Sequence, residues 1–495
     1  VEQVVVAGGG PVGLWLAAEL RLGGAPVTVV EERPERDPRS KALTVHPRTI
    51  EVLASRGVHG PLLAEGVPLP GGHFGLLDER LDFRGLDTPF PYTLALPQAR
   101  TEELLERHAL SLGADVRRGH RVTGFAEDPA GVTVRVEGPE GPYELRAAYL
   151  VGCDGTRSTV RAAAGIGFPG TPASVVGWLG DVTLDDPPPP GFAAFTRAGA
   201  LMVAPLPGGT FRLVGVTPED LRTDWPGDLA FEELRARVTA VAGRDFGMRD
   251  PVWLSRFGNA TRLAERYRRG RVLLAGDAAH QHFPAGGVGM NVGVQDAHNL
   301  GWKLAAVLRG HAPDDLLDTY HAERHPVGAD LVEASRAQVA LMTGFSPEGI
   351  SLRTLLGRLI ATDPSVNRAL AERLTGLAVR YPTHDPTDHP LTGTRAPDLA
   401  FTGGESLFSL LRAGSCVLLD LTGAPGGPFE RWARPGLVVR SRSLAEPPPG
   451  WSEVRAVLLR PDGHVAWAGT AADGTTPERA LSRILRTGER RRSTG

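Results

Sequence analysis

Val4-Val5-Val6 is a β-branched run with no polar alternation, the pattern of a strand buried on both faces of a parallel sheet. Glycines follow, then Leu14-Trp15-Leu16-Ala17-Ala18-Glu19-Leu20, which reads as a helix packed close to that strand. Val27-Thr28-Val29-Val30 is a second buried strand and ends in Glu31-Glu32. The whole unit takes about 30 residues, the size of one βαβ crossover. From Gly71 to Leu96 the pattern changes to short aromatic-bearing runs split by Gly, Asp and Pro. The spacing then predicts a helix over Thr101–Leu112 and strands at Val132–Val136 and Tyr149–Val151.

Between Ser174 and Phe257 the chain reads as antiparallel strands, at Val175–Leu179, Leu201–Ala204 and Phe211–Val216, with an amphipathic helix over 229–242. Pro187–Pro190 is a stiff connector. The two β-rich stretches are expected to join into one sheet roofing the domain that the βαβ unit begins. A buried strand returns at Arg271–Ala275, followed by a glycine-rich turn and a long helix expected over Val292–Leu308, and helical patterns run on to Ala378. His384–Pro390 is a polar, proline-punctuated linker. Beyond it, strands are expected at Val417–Leu419, Leu437–Val439, Val454–Leu459 and Val465–Trp467, with Asp462-Gly463 as the hairpin signal between the last two.

The length, 495 residues, suggests roughly three domains. Hydrophobic residues make up 41% and charged residues 22%, an ordinary globular balance. Lys and Arg total 54 against 57 Asp and Glu, a net charge of −3, so no bulk basic field is available to hold nucleic acid or an acidic membrane. Cys153 and Cys416 are too few for a disulfide scaffold or a zinc ribbon, which fits a reducing cytoplasm. No metal site is expected. The uncharged run Val4–Ala18 is broken by glycines and shorter than the ~20 residues a spanning helix needs. A start of Val1-Glu2-Gln3 lacks the basic stretch of a signal peptide.

Gly8-x-Gly10-x-x-Gly13 follows a buried strand and opens a helix. Such glycines permit a tight turn, close approach of backbone to a pyrophosphate, and helix-on-strand packing, while the helix N-terminus offers partial positive charge to phosphates. Glu31 stands where ribose hydroxyls would be bound, with its neighbour Glu32 interchangeable in that role. The alternative is a turn used for packing alone. The motif by itself does not separate NAD from FAD.

Two later segments do. Cys153-Asp154-Gly155-x-x-Ser158-x-x-Arg161 lies directly after one strand, and Gly276-Asp277-Ala278-Ala279-His280 after another. With the first fingerprint, in this order and spacing, the chain resembles the class A, single-component, flavin-dependent aromatic hydroxylases, in the aromatic polyketide hydroxylase and rifampicin monooxygenase branch. The stretch Phe283-Pro284-Ala285-Gly286-Gly287-Val288-Gly289-Met290-Asn291 strengthens the likeness. Val288 departs from a glutamine often found there. The resemblance implies an α/β fold: a Rossmann-like FAD-binding domain, a β-rich substrate domain, and a C-terminal thioredoxin-like domain that here has no Cys-x-x-Cys. Gly393-x-Arg395-Ala396-Pro397-Asp398 and Leu458–Trp467 carry the last of these likenesses.

The implied division is 1–72, 98–173 and 266–383 for the FAD-binding and helical parts, 73–97 and 174–265 for the middle domain, and 384–495 for the C-terminal domain. The implied cofactor contacts are Gly8, Gly10, Val12, Gly13, Glu31, Glu32, Gln98, Val122, Asp154, Asp277 (on the ribityl chain), Pro284, Gly289, Met290 and Asn291. Lys41, where the family usually carries an arginine, is assigned as a further contact, with a solvated loop lysine as the alternative. Lysine keeps the charge and loses the planar fork. His280 and His282 read as packing or helix-start residues rather than bases, and Gln295–Ala297 as structural.

The resemblance also implies the reaction. NADPH, bound transiently, reduces FAD; O2 adds at flavin C4a; the hydroperoxide transfers OH to an electron-rich ring. No catalytic side chain is assigned, because the cofactor carries the chemistry. A polycyclic aromatic, polyketide-type substrate is expected between flavin and middle domain, with Phe74, Phe83, Trp178, Phe195, Phe211 and Trp253 as candidate lining. Inactivation of a rifampicin-type antibiotic, Baeyer–Villiger oxygenation, and a non-catalytic flavin scaffold are the alternatives. The assembly expected is a monomer or homodimer.

Overall fold

The continuous β-branched runs form the centre of a six-stranded sheet. Its order is Arg268–Arg269, Val272–Leu274, Tyr149–Gly152, Val4–Ala7, Val27–Glu31, Asp115–Arg118, parallel except for the first strand. The computed structural model describes residues 4–383, 385–423, 429–470 and 476–486. The readings at Val1–Gln3 and at the His384 end of the linker lie outside them. One hydrophobic core includes these strands, the helices Pro11–Leu22 and Val288–Leu308, and Val132, Val134 and Val136 of an antiparallel three-stranded sheet over 121–147. That two-sided burial is why the strands show no polar alternation.

The long helix starts four residues earlier than expected, at Val288. Gly286 and Gly287 both take left-handed conformations (φ 69° and 65°), which glycine tolerates without strain, and they turn the chain directly into the helix.

Residues 176–258 build a five-stranded antiparallel sheet in the order Ala193–Thr196, Gly199–Pro205, Phe211–Val216, Val176–Leu184, Met248–Gly258. One face buries Trp178, Val182, Leu201, Val203 and Leu213 against Leu234, Val238 and Val241 of the helix Phe231–Ala242. The first β-rich stretch does not join this sheet, contrary to the expectation. Gly71–Gly72 pairs only with Leu81–Asp82, and Thr93–Ala95 pairs with Thr44–Val45 and Val67–Leu69 in a separate small sheet. The aromatic residues Phe74 and Phe83 of the stretch instead pack with Leu331, Leu341, Ile360 and Leu374 of the following helices.

The C-terminal unit is a four-stranded sheet ordered Leu437–Ser441, Cys416–Asp420, Val454–Leu459, Val465–Thr470, the first pair parallel and the others antiparallel. Its Arg460–His464 hairpin turn is driven into the FAD-binding side of the molecule. Arg460 pairs with Glu323 at 2.6 and 2.8 Å, and Trp302 Nε1 donates to Asp462 at 3.2 Å. Arg48 donates to the Asp462 carbonyl and Arg56 to the Pro461 carbonyl, both at 2.9 Å. No helix among the described residues is long and apolar enough to cross a membrane.

Candidate active site

The first turn of the helix Pro11–Leu22 carries no side-chain cap, with Gly10 as its N-cap and Pro11 as its first residue. Its leading N–H groups therefore have no intrahelical partner and point out of the fold. The three glycines before and within it answer different demands. A Cβ on Gly8 would lie 2.3 Å from the Cys153 carbonyl oxygen, and one on Gly13 would lie 2.0 Å from the Gly8 carbonyl oxygen. Both are required by packing. A Cβ on Gly10 would meet no atom within 4 Å, and its φ of −79° suits any residue. Nothing among the described residues requires glycine there, which is what a position reserved for close approach of a phosphate looks like.

Glu31 ends the second strand beside this turn. Its carboxylate accepts from the Gly9 N–H at 2.6 Å and the Arg33 N–H at 3.0 Å, while Glu32 is exposed. Val12 lies in the same first turn, and a Cβ on Gly276 or Gly293 would come within 3 Å of its side chain, so Val12 locks the two glycine-rich segments together. Asp154 is turned inward. It accepts from Ser158 Oγ at 2.5 Å and from Val160 N at 3.1 Å, and burial pushes its carboxyl above the ordinary value. Its described bonds brace the helix Thr159–Ala163. Arg161 of that helix donates to the Ala278 carbonyl at 2.9 Å, tying this segment to the one carrying Asp277. Asp277 itself is exposed, in the single helical turn after the strand Val272–Leu274.

At the other end, the helix Val288–Leu308 also begins without a side-chain cap. The first-turn N–H groups at Gly289 and Met290 are therefore available to an anionic ring edge, backed by the helix dipole. Asn291 is 2% exposed and fixes the helix start: its Oδ1 accepts from His46 N at 2.8 Å, and its Nδ2 donates to the carbonyls of Gly287 (2.9 Å) and Thr44 (3.2 Å). Pro284 is exposed at the loop's outer edge. His280 Nε2 lies 2.8 Å from Asp296 Oδ2, which also accepts from the Gly276 N–H at 3.2 Å, and Arg324 Nε donates to Asp296 Oδ1 at 2.6 Å. Burial alone would raise the Asp296 carboxyl, but Arg324 and His280 outweigh it and hold it below its ordinary value. His282 Nδ1 donates to the Phe283 carbonyl at 2.7 Å, and burial lowers its pKa. Two uncapped helix starts, one with a reserved glycine and one beyond a left-handed glycine pair, fit the phosphate and ring ends of a flavin dinucleotide.

Residues 2–335 match the family described as "FAD binding domain", and residues 389–487 the family described as "Aromatic-ring hydroxylase, C-terminal". The chain is an FAD-binding aromatic-ring hydroxylase. Among the similar members of this hydroxylase family is a rifampicin monooxygenase of Streptomyces venezuelae, 45% identical over 94% of this chain and 95% of the relative. The solved anhydrotetracycline hydroxylase OxyS of Streptomyces rimosus superposes with TM-score 0.91 at 43% identity, covering 98% and 99% of the two chains. CabE, an aromatic hydroxylase from angucycline biosynthesis, gives 0.89 at 42% identity, covering 99% and 100%. The hydroxylase carries FAD as its cofactor, and NAD(P)H is the reductant typical of its family.

In this hydroxylase the candidate substrate surface is the second face of the five-stranded sheet. Leu179, Met202, Val214 and Phe257 alternate out of its strands and stay half-buried. Phe257 packs on Phe283 at 5.3 Å between ring centroids, and Phe195 stacks on Phe345 at 5.4 Å. Of the six aromatic residues singled out from the sequence, Phe195 and Trp253 lie on this face. Trp178 and Phe211 lie on the opposite one, against the helix Phe231–Ala242, and Trp178 Nε1 donates to Asp220 at 3.1 Å. Phe83 is fully buried and Phe74 nearly so, among the helices. Trp178, Phe74 and Phe83 are core side chains and Phe211 is a half-buried one packed against the helix side of the sheet, which corrects the expectation for them.

Phe257, Phe345 and Met202 were not singled out. Strand phase was the available signal for two of them, since Phe257 is in step with Trp253, and Met202 alternates with Leu201 and Val203. Val122 is buried in the core with its side chain, so only its backbone is open to a ligand. Gln98 Oε1 accepts from the Ala42 N–H at 3.0 Å, bracing the loop whose Lys41 side chain is exposed.

Proposed function

We propose that this FAD-dependent aromatic monooxygenase uses NADPH and O2 to hydroxylate a polycyclic, polyketide-type phenol. The observation that carries the reading is the half-buried sheet face opposite the Phe283–Gly289 loop. It is broad and lined by Leu179, Phe195, Met202, Val214 and Phe257, side chains suited to a flat, extended, apolar ring system. The names of the rifampicin, anhydrotetracycline and angucycline relatives support the same substrate class.

FAD, when bound, supplies reduction by a nicotinamide and activation of O2 for insertion into an electron-rich ring. The chain's residues do the rest. Gly8–Gly13 would receive the pyrophosphate, Asp277 would hold the ribityl hydroxyls, and the Gly289 and Met290 N–H groups would stabilise negative charge on the reduced ring. Phe257, Phe283 and Ala285 exclude water where substrate meets flavin. No side chain is assigned to move a proton.

The deciding experiment measures NADPH oxidation and oxygenated product with the FAD-loaded protein. The panel is an anhydrotetracycline, an angucyclinone, rifampicin and a monocyclic phenol, and NADH is run in parallel. The two polycyclic phenols should stimulate oxidation and give a hydroxylated product, identified by NMR. Turnover of rifampicin alone would move the reading to antibiotic inactivation, a ring-expanded lactone would make it Baeyer–Villiger oxygenation, and no stimulation by any compound would favour a flavin-bearing scaffold.

A further inference from the structure

Arg212 is 2% exposed and stands on the substrate-facing side of the five-stranded sheet. Its guanidinium is fully engaged. Nε and Nη2 form a fork on the two oxygens of Asp181, each at 2.8 Å, and Nη1 donates across the domain boundary to the backbone carbonyls of Ser40 at 2.5 Å and Lys41 at 3.3 Å. Trp253 is the direct cross-strand neighbour of Asp181, and its ring lies under two cations, Arg212 at 5.1 Å and Arg39 at 5.7 Å.

The loop so held, Arg39–Ala42, is braced on its other side by the start of the helix Gln98–Ser111. Ala42 N donates to Gln98 Oε1, Gln98 N donates to the Ala42 carbonyl, and Ala99 N donates to Ser40 Oγ. The loop thus hangs between the FAD-binding domain and the sheet. The bonds from the sheet are those of Arg212, and the ring contact is that of Trp253.

We propose that Arg212 is a positioning residue: preorganised by Asp181 and stacked with Trp253, it sets the Arg39–Ala42 loop, and with it the Lys41 cation, for the nicotinamide reductant. This inference rests on the reading of Lys41 as a contact at the cofactor. Because Asp181, Arg212 and Trp253 share a sheet face with Val214 and Phe257, a ligand on that face presses on the same side chains that hold the loop. The planar fork binds a carboxylate with two parallel N–H groups and offers a third to a carbonyl, an arrangement that lysine's three donors on one nitrogen reproduce only in part.

The test compares Arg212→Met, Arg212→Lys and the parent as FAD-loaded proteins. Amide hydrogen exchange is followed over residues 37–43 and over the strands 199–216, and flavin reduction by NADPH is followed anaerobically by absorbance at 450 nm. In Arg212→Met, exchange at 37–43 should accelerate about tenfold or more, the equivalent of one lost charge-assisted hydrogen bond, while the strands stay protected. The NADPH concentration for half-maximal reduction should rise by about the same factor with FAD affinity changed less than about threefold. Arg212→Lys should recover only part of both effects. Unchanged exchange at 37–43 overturns the proposal, whatever happens to reduction. Faster exchange with unaltered NADPH dependence overturns its link to the reductant. A chain that takes no FAD overturns the cofactor reading instead, and the exchange comparison then decides the loop attachment alone.

Discussion

A methyl group at Gly10 would touch no protein atom within 4 Å, so stability and cofactor affinity should separate there. Gly10→Ala should change the folding free energy of the FAD-free protein by no more than about 0.5 kcal/mol, yet weaken FAD binding at least about tenfold by obstructing the phosphate. A denaturant titration and a flavin fluorescence titration read the two halves. Asp277→Ala is the matching test at the ribityl end. The side chain is exposed and makes no hydrogen bond or ion pair among the described residues, so its removal should cost FAD about 1.5–3 kcal/mol of affinity, one charge-assisted hydrogen bond, with melting little changed. Unchanged FAD affinity would show that the ribityl contact lies elsewhere. Asp154 behaves otherwise, since its carboxylate already serves Ser158 and Val160. Spacing put both aspartates beside the cofactor, but it could not say which one spends its oxygens on its own helix.

The five-stranded sheet divides its aromatic residues by face, and substitutions should follow that division. Trp178→Ala removes a fully buried ring and its bond to Asp220 and should destabilise the protein by about 3–5 kcal/mol without changing substrate preference. Phe257→Ala, on the half-buried face, should instead alter relative kcat/KM values between polycyclic and monocyclic phenols with a smaller loss of stability. Chemical denaturation and competition kinetics distinguish the two outcomes. The strands themselves were readable from runs such as Phe211–Val216, whose bounds agree with the structure. The phase of Trp178 was readable too: it alternates in step with Val176, Val182 and Leu184, while Asp181 and Thr183 mark the other side. What spacing could not supply was the partner of each strand. Asp181 meets Arg212 because their strands pair in register, while residues 74–86 went to the helices, where Phe74 and Phe83 are buried, and Thr93–Ala95 to a small sheet of its own.

Across the whole molecule, charge holds the C-terminal unit in place, and pH should report on it. Burial would raise the carboxyls of Glu19 and Glu323, but Arg56 and His298 bring the first down to about 2, and Arg460 and Lys303 bring the second down to about 2. Both are depressed from 4.5, so their contribution is present above that pH and is lost as pH falls toward 2, at about 3 kcal/mol for each carboxylate fully protonated. Urea titrations between pH 6 and pH 2, taking about half-unit steps, should show this decline. Arg460→Met should lower stability at neutral pH by about 3–5 kcal/mol, because it removes the guanidinium paired with Asp462 and leaves Glu323 only Lys303 of its two cations. It should also flatten the acid dependence. The hairpin at Asp462-Gly463 was legible as a turn, but its burial was not, because a run of Arg, Asp and His reads as solvated unless its partners Arg48, Arg56 and Glu323 are known to surround it. Tail exchange among related hydroxylases is constrained accordingly. A chimera that transplants residues 389–487 alone would bring a foreign plug to a socket cut for Arg460 and Asp462, so recipient and donor must agree at Arg48, Arg56, Trp302 and Glu323 before the graft can seat.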